Sequence, residues 1–167
     1  MKTMRGIAMG AALVMYLAAF TSFTMNGSFA TSIVGDVRLE LHGGARFGTV
    51  QGRGKVPPVF TISLGAGSAQ GSVLFTRPGG ARLVAGTYRI TGKDDGTDEV
   101  RALVMTGSAE QPTGVFRGQS GTLVITSVSD NVIHGSYRVE ATGFLADDPA
   151  AEDKQIRATG GFTAVRN

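Results

Sequence analysis

The chain has no cysteine and no tryptophan among its 167 residues, and its only histidines are His42 and His134. Without a thiol there is no disulfide, thiolate nucleophile, zinc finger, iron–sulfur cluster or lipidated cysteine, so the fold rests on its core alone. Two histidines cannot make a three-histidine zinc site. Charged residues are scarce at 17% while apolar ones reach 42%, a balance that excludes a disordered tail and predicts one ordinary domain. Long helices are missing as well. Past residue 30 no dozen residues carry an apolar stripe at helical spacing, and 22 of the 25 glycines lie there, which disfavours helix throughout.

The first thirty residues read as a leader. Lys2 and Arg5 precede an uncharged apolar stretch from Ile7 to Phe20, and a polar run ends in Ser28-Phe29-Ala30. That is the layout of a helical secretory signal peptide, with Ser28 and Ala30 as the small residues a signal peptidase reads and the cut expected before Thr31. Residues 1–30 are then the signal peptide and 31–167 a single domain, secreted or periplasmic. The rival reading is an uncleaved anchor, since Gly6 to Phe23 carries no charge and nearly spans a bilayer. A membrane would be touched only in that way.

With Lys2 and Arg5 removed from the 16 basic residues, 14 remain against 13 acidic ones. The exported domain is close to neutral. Nucleic acid is not an implied partner, because neutralising several phosphates takes clustered Lys and Arg, and the arginines here stand mostly singly. Arg46, Arg53 and Lys55 among glycines read as a Gly-rich hairpin connection.

What the chain has in quantity is period-two alternation. In Asp36-Val37-Arg38-Leu39-Glu40-Leu41-His42, apolar Val37, Leu39 and Leu41 share one face and charged groups hold the other. Phe60, Ile62 and Leu64 repeat the pattern, as does Tyr137-Arg138-Val139-Glu140-Ala141. Half-buried antiparallel strands read this way, whereas parallel strands covered on both faces give continuous apolar runs. Strands are predicted at 33–42, 45–51, 58–65, 70–76, 86–92, 99–106, 114–117, 121–128, 133–143 and 155–165. Turn residues separate them at Arg77-Pro78-Gly79-Gly80, Asp95-Gly96 and Ser129-Asp130-Asn131. Gly71 to Thr76 followed by Gly86 to Ile90 parallels Gly121 to Thr126 followed by Gly135 to Val139. Each copy reads as a hairpin that turns Tyr88 or Tyr137 inward.

Eight to ten antiparallel strands in one all-β domain predict an up-and-down, calycin-like β-barrel, with a β-sandwich as the alternative; both hide strand edges. Pro78 to Gly86-Thr87-Tyr88-Arg89-Ile90, Ser120 to Thr126 with Gly135-Ser136-Tyr137, and the closing Thr159-Gly160-Gly161-Phe162-Thr163 resemble a loose group of uncharacterised exported bacterial β-proteins. The resemblance covers about residues 58–165 and implies a secreted calycin-like or sandwich fold, with no catalytic residue carried over. Many of that group look like lipoproteins; this chain departs from them in having no cysteine to lipidate.

Catalytic constellations are missing. There is no Gly-x-Ser-x-Gly elbow, and Ser120 opens a strand rather than joining a strand to a helix. His42 and His134 sit at strand ends, as solvated residues do. The loop from Gly65 to Gly71 lacks the spacing and the following helix of a phosphate cradle. Asp94, Asp95, Asp98 and Glu99 crowd one loop, and Asp147, Asp148, Glu152 and Asp153 another. Such oxygen-rich clusters suit Ca²⁺, the one cofactor the sequence suggests, although solvated turns are the commoner use of acidic loops. A glycosidase would need two acids fixed across a sugar with aromatic platforms beside them, and these acids lie on loops.

Two non-enzymatic readings survive. In the first, a barrel interior lined by Val37, Leu39, Phe60, Ile62, Phe75, Tyr88, Tyr137, Val139 and Phe162 takes a small apolar ligand. The expected ligand contacts are Phe60, Ile62, Phe75, Tyr88, Tyr137 and Phe162. In the second, those side chains only fill a core, and the protein is a structural or adhesive module whose partner is an envelope component.

Overall fold

The computed structural model describes residues 27–52, 57–66, 70–93, 99–108, 110–148 and 153–167. Most of the expected leader lies outside them, as do Asp94, Asp95, Asp98 and Glu152. Nine strands follow in chain order: β1 (Ser28–Gly35), β2 (Leu39–Val50), β3 (Val59–Ala66), β4 (Gly71–Pro78), β5 (Gly86–Thr91), β6 (Arg101–Gly107), β7 (Pro112–Val128), β8 (Val132–Leu145) and β9 (Lys154–Arg166).

Eight of the nine close a ring. Each of β1-β2-β3-β4-β6-β7-β8-β9 pairs antiparallel with the next, and β9 returns to β1 with Phe162 opposite Phe29. The chain is therefore an up-and-down barrel and not a sandwich; closure leaves its ring strands without open edges. β5 stands outside the ring. It pairs with the second half of the long strand β7, from Gly86 opposite Ile125 to Thr91 opposite Ser120, while β6 takes the first half. β5 and β6 thus run in one direction along β7 and meet at a parallel Ile90–Val100 bridge.

Period-two patterning explains the closure. Along β8, Tyr137, Val139 and Ala141 are buried while Ser136 and Arg138 are exposed. The buried faces merge into one apolar cluster that includes Phe47, Phe60, Phe75, Phe116 and Phe162. Arg38, Glu40, His42, Arg46, Arg117, Arg138 and Arg157 point to solvent. This is the inverse of a membrane barrel, which turns its apolar face outward. No described helix is long and apolar enough to cross a membrane.

Four expectations about the strands differ. Residues 39–42 and the strand expected at 45–51 form one strand, β2, so His42 lies inside a strand and not at its end. The segment read as one strand over 33–42 is broken at a reversal: Gly35 has φ of 125°, Asp36 N donates to Gln155 O at 3.0 Å, and its carboxylate accepts from Gln155 N at 2.6 Å. Val37 and Leu39 keep their alternation across the turn because both pack against the core. The pieces at 114–117 and 121–128 are one strand, β7, with a register shift between Gly118 and Ser120 that absorbs Gln119 as an extra residue. The first of the two similar hairpins does not exist as a hairpin: β4 pairs with β3 and β6, and β5 with β7. The second copy is a true hairpin, β7–β8, turned at Ser129-Asp130-Asn131 with Ser129 N donating to Val132 O at 2.8 Å.

Candidate functional site

The barrel has two ends of different construction. One gathers the β1–β2, β3–β4, β6–β7 and β8–β9 connections. It carries an open depression of about 420 Å³ lined by Val37, Arg38, Leu39, Gln70, Thr106, Gly107, Thr113, Leu145 and Asp147. Thr106 and Thr113 hydroxyls meet there at 3.0 Å. Arg38 and Asp147 put opposite charges on its rim.

The other end is crossed by residues 79–85, a strap between β4 and β5 that belongs to no strand. It enters through Gly79 and Gly80, whose φ angles of 84° and 69° suit glycine far better than any residue with a Cβ. A Cβ on Gly80 would lie 2.9 Å from Pro58 Cγ, so the strap rests on the β2–β3 side of the rim. The guanidinium of Arg82 stacks over the Phe47 ring of β2, 4.9 Å from its centroid. The same group donates through Nη2 to Ser129 O, in the turn across the barrel. Leu83 is 1% exposed and joins the core. Val84 N donates to the Tyr88 hydroxyl at 2.9 Å, and that hydroxyl donates back to Val84 O at 2.9 Å. Arg77 in turn lies over the Tyr88 ring, 5.7 Å from its centroid. The strap's described hydrogen bonds all pass through side chains. Arg82 Nε, moreover, is buried with no partner among the described residues, which makes this closure an imperfect one.

Of the expected ligand contacts, Phe60, Ile62, Phe75, Tyr137 and Phe162 are buried together, and Tyr88 is half-buried against them. The Phe75 and Tyr137 rings meet edge to face at 4.9 Å, and Tyr137 and Phe162 stand 6.4 Å apart. Tyr137 also contacts the Thr31 hydroxyl, and burial pushes its phenol well above the usual range despite that contact. Sequence reading missed Leu83 and Arg82, because a strap with no alternation looks like any loop; the glycines at 79, 80 and 86 were its only signal.

Of the acidic residues expected to bind a cation, Glu99, Asp147, Asp148 and Asp153 are among those described. Glu99 lines a flank depression with Arg89, Lys93 and Gln119, whereas Asp147 lies in the open end. Asp148 pairs with Lys154 at 3.1 Å and holds that ammonium above its ordinary pKa. Among the described residues no three His, Asp or Glu side chains converge on a point where an ion could sit. His134 is exposed and bonded through Nδ1 to the Thr163 hydroxyl at 2.9 Å, and Ser120 is exposed on β7. Compared with family models, with curated proteins and with solved structures, the chain matches none.

Proposed function

We propose that this protein is an exported, non-enzymatic barrel that binds one small apolar ligand at the strap end of its interior. Export rests on the basic start at Lys2 and Arg5 and the uncharged apolar stretch from Ile7 to Phe20. The ligand reading rests on Leu83. An eight-stranded barrel has an interior just large enough for its own side chains or for one small ligand. Here part of that interior is filled by a leucine that no β-ladder holds. Lifting the strap breaks the Arg82 and Tyr88 contacts and leaves the ring of strands intact. The vacated volume is apolar, so a hydrocarbon or aromatic group of about leucine size would replace the side chain, with the carbonyls of Ser129 and Asp130 free to accept from a polar end.

Titration with N-phenyl-1-naphthylamine, a small apolar fluorophore, tests this in the wild type and in Leu83→Ala. The variant needs no leucine displaced and binds at least about tenfold tighter. Equal affinities, or no binding by either, would refute the reading. A second reading, a structural or adhesive envelope module acting through its surface, draws support from the packed Phe75–Tyr137–Phe162 contacts. Loss of stability in Leu83→Ala without probe binding favours it.

A further inference from the structure

Strand β1 is where the leader meets the barrel, and it is the strand that closes the ring. Phe29 stands opposite Gly43 on β2 and Phe162 on β9, and its side chain is 5% exposed. Ala30 stands between His42 and Gly161, and Thr31 between Leu41 and Gly160. The Ala30–Thr31 peptide bond therefore lies inside a ladder with a partner strand on each side. Proteases cut exposed loops and termini, not paired strands, so this bond is closed to them once the barrel has formed. A cut made before folding would delete Ser28, Phe29 and Ala30 from β1. The ring would then lose a core aromatic and three positions of its closing ladder.

The spacing of small residues that suggested this bond is also what the strand itself calls for. Ser28 and Ala30 are exposed while Phe29 and Thr31 are buried. Small residues two apart are what a strand shows when its outer face is small and its inner face bulky. We infer that the mature protein keeps Phe29: it begins at Phe29 or earlier, and the Ala30–Thr31 bond is not the processing point. The next small pair upstream is Ser22 and Thr24, and an uncleaved leader satisfies the same condition.

This inference rests on the export reading, and the experiment keeps the two apart. The full-length chain is expressed in an exporting bacterium, and the protein in the exported and cytoplasmic fractions is identified by intact mass and N-terminal sequencing. The fraction reports export. The N-terminus reports processing: a first residue at or before Phe29 is expected, and one at Ala30 or beyond overturns the inference. The exported Phe29→Ala variant supplies a second readout. Its melting temperature falls by about 10 °C, or it fails to accumulate while wild type does; a melting temperature equal to wild type removes the ground for keeping Phe29.

Discussion

Thr31 and Tyr137, 106 residues apart in sequence, meet hydroxyl to hydroxyl inside the barrel. They belong to one inward row across five strands, Leu123, Tyr137, Gly160, Thr31 and Leu41. The row closes because its middle member has no side chain: a Cβ at Gly160 would lie 2.9 Å from Thr31 Oγ1 and 3.0 Å from the Tyr137 oxygen. The contact thus ties the closing strand β1 to β8 across β9. Tyr137→Phe leaves the buried Thr31 hydroxyl unpaired, at a cost of about 1–3 kcal/mol. Adding Thr31→Val removes the orphan, so in denaturant unfolding the double variant is less destabilised than the sum of the singles. Additive losses would show that the pair is not coupled.

Alkaline pH acts on the same phenol. Burial raises Tyr137 above its ordinary pKa of 10.0 in the fold, so above about pH 10 the unfolded chain gives up this proton while the folded one keeps it. Stability from this source is complete below pH 10 and declines as pH rises, by up to about 1.4 kcal/mol per pH unit. Chemical unfolding of wild type and Tyr137→Phe between pH 9 and 11.5 is expected to show a shallower decline in the variant. Parallel curves would contradict the buried neutral phenol.

On the outer face, Glu140 accepts from Arg157 Nε at 2.6 Å and from Arg138 Nη2 at 3.3 Å. The hydrogen bond from Arg157 is the largest influence holding the carboxyl below its usual pKa of 4.5, with Arg138 adding to it. The stabilisation is present above pH 4.5 and lost as pH falls through the lowered value. Because the group is solvated, Glu140→Gln costs less than about 1 kcal/mol at pH 7, and high salt narrows the difference. Unfolding midpoints in low and high salt check this; a loss unchanged by salt would argue for a packing role.

Calcium is expected to do little. Among the described acids, Glu99 and Asp147 face separate depressions and Asp148 is engaged by Lys154. Thermal melting in millimolar CaCl₂ should shift by less than about 1 °C. A rise of several degrees, abolished by Asp94→Asn with Asp95→Asn, would put a cation in that loop.

The barrel was legible in the sequence because alternation survives wherever one strand face is dry, as in Phe60-Thr61-Ile62-Ser63-Leu64. What escaped was whatever alternation does not encode. The Gly35-Asp36 reversal left the inward spacing of Val37 and Leu39 undisturbed, so a turn read as strand. The first residues of β1, Ser28 to Ala30, lie in the stretch that reads as the end of a leader. The aromatic contacts expected to meet a ligand were placed on the inner face, yet packing of Tyr137 against Phe75 depends on partners 62 positions away in sequence, which no local pattern displays. The strap carries its information in two side chains: Arg82, whose partners are the Phe47 ring on β2 and the Ser129-Asp130 turn, and Leu83, which joins the core; none of these is near them in sequence.

The most direct measurement follows the Leu83 methyl groups by NMR while N-phenyl-1-naphthylamine is added to the wild-type protein. Ligand entry beneath the strap predicts that the Leu83 signals move to solvent-exposed positions as the probe saturates, while those of Leu41 and Val104, buried in the strand walls, stay close to their starting values. Saturation with Leu83 unmoved, or with every core methyl shifting together, would contradict it.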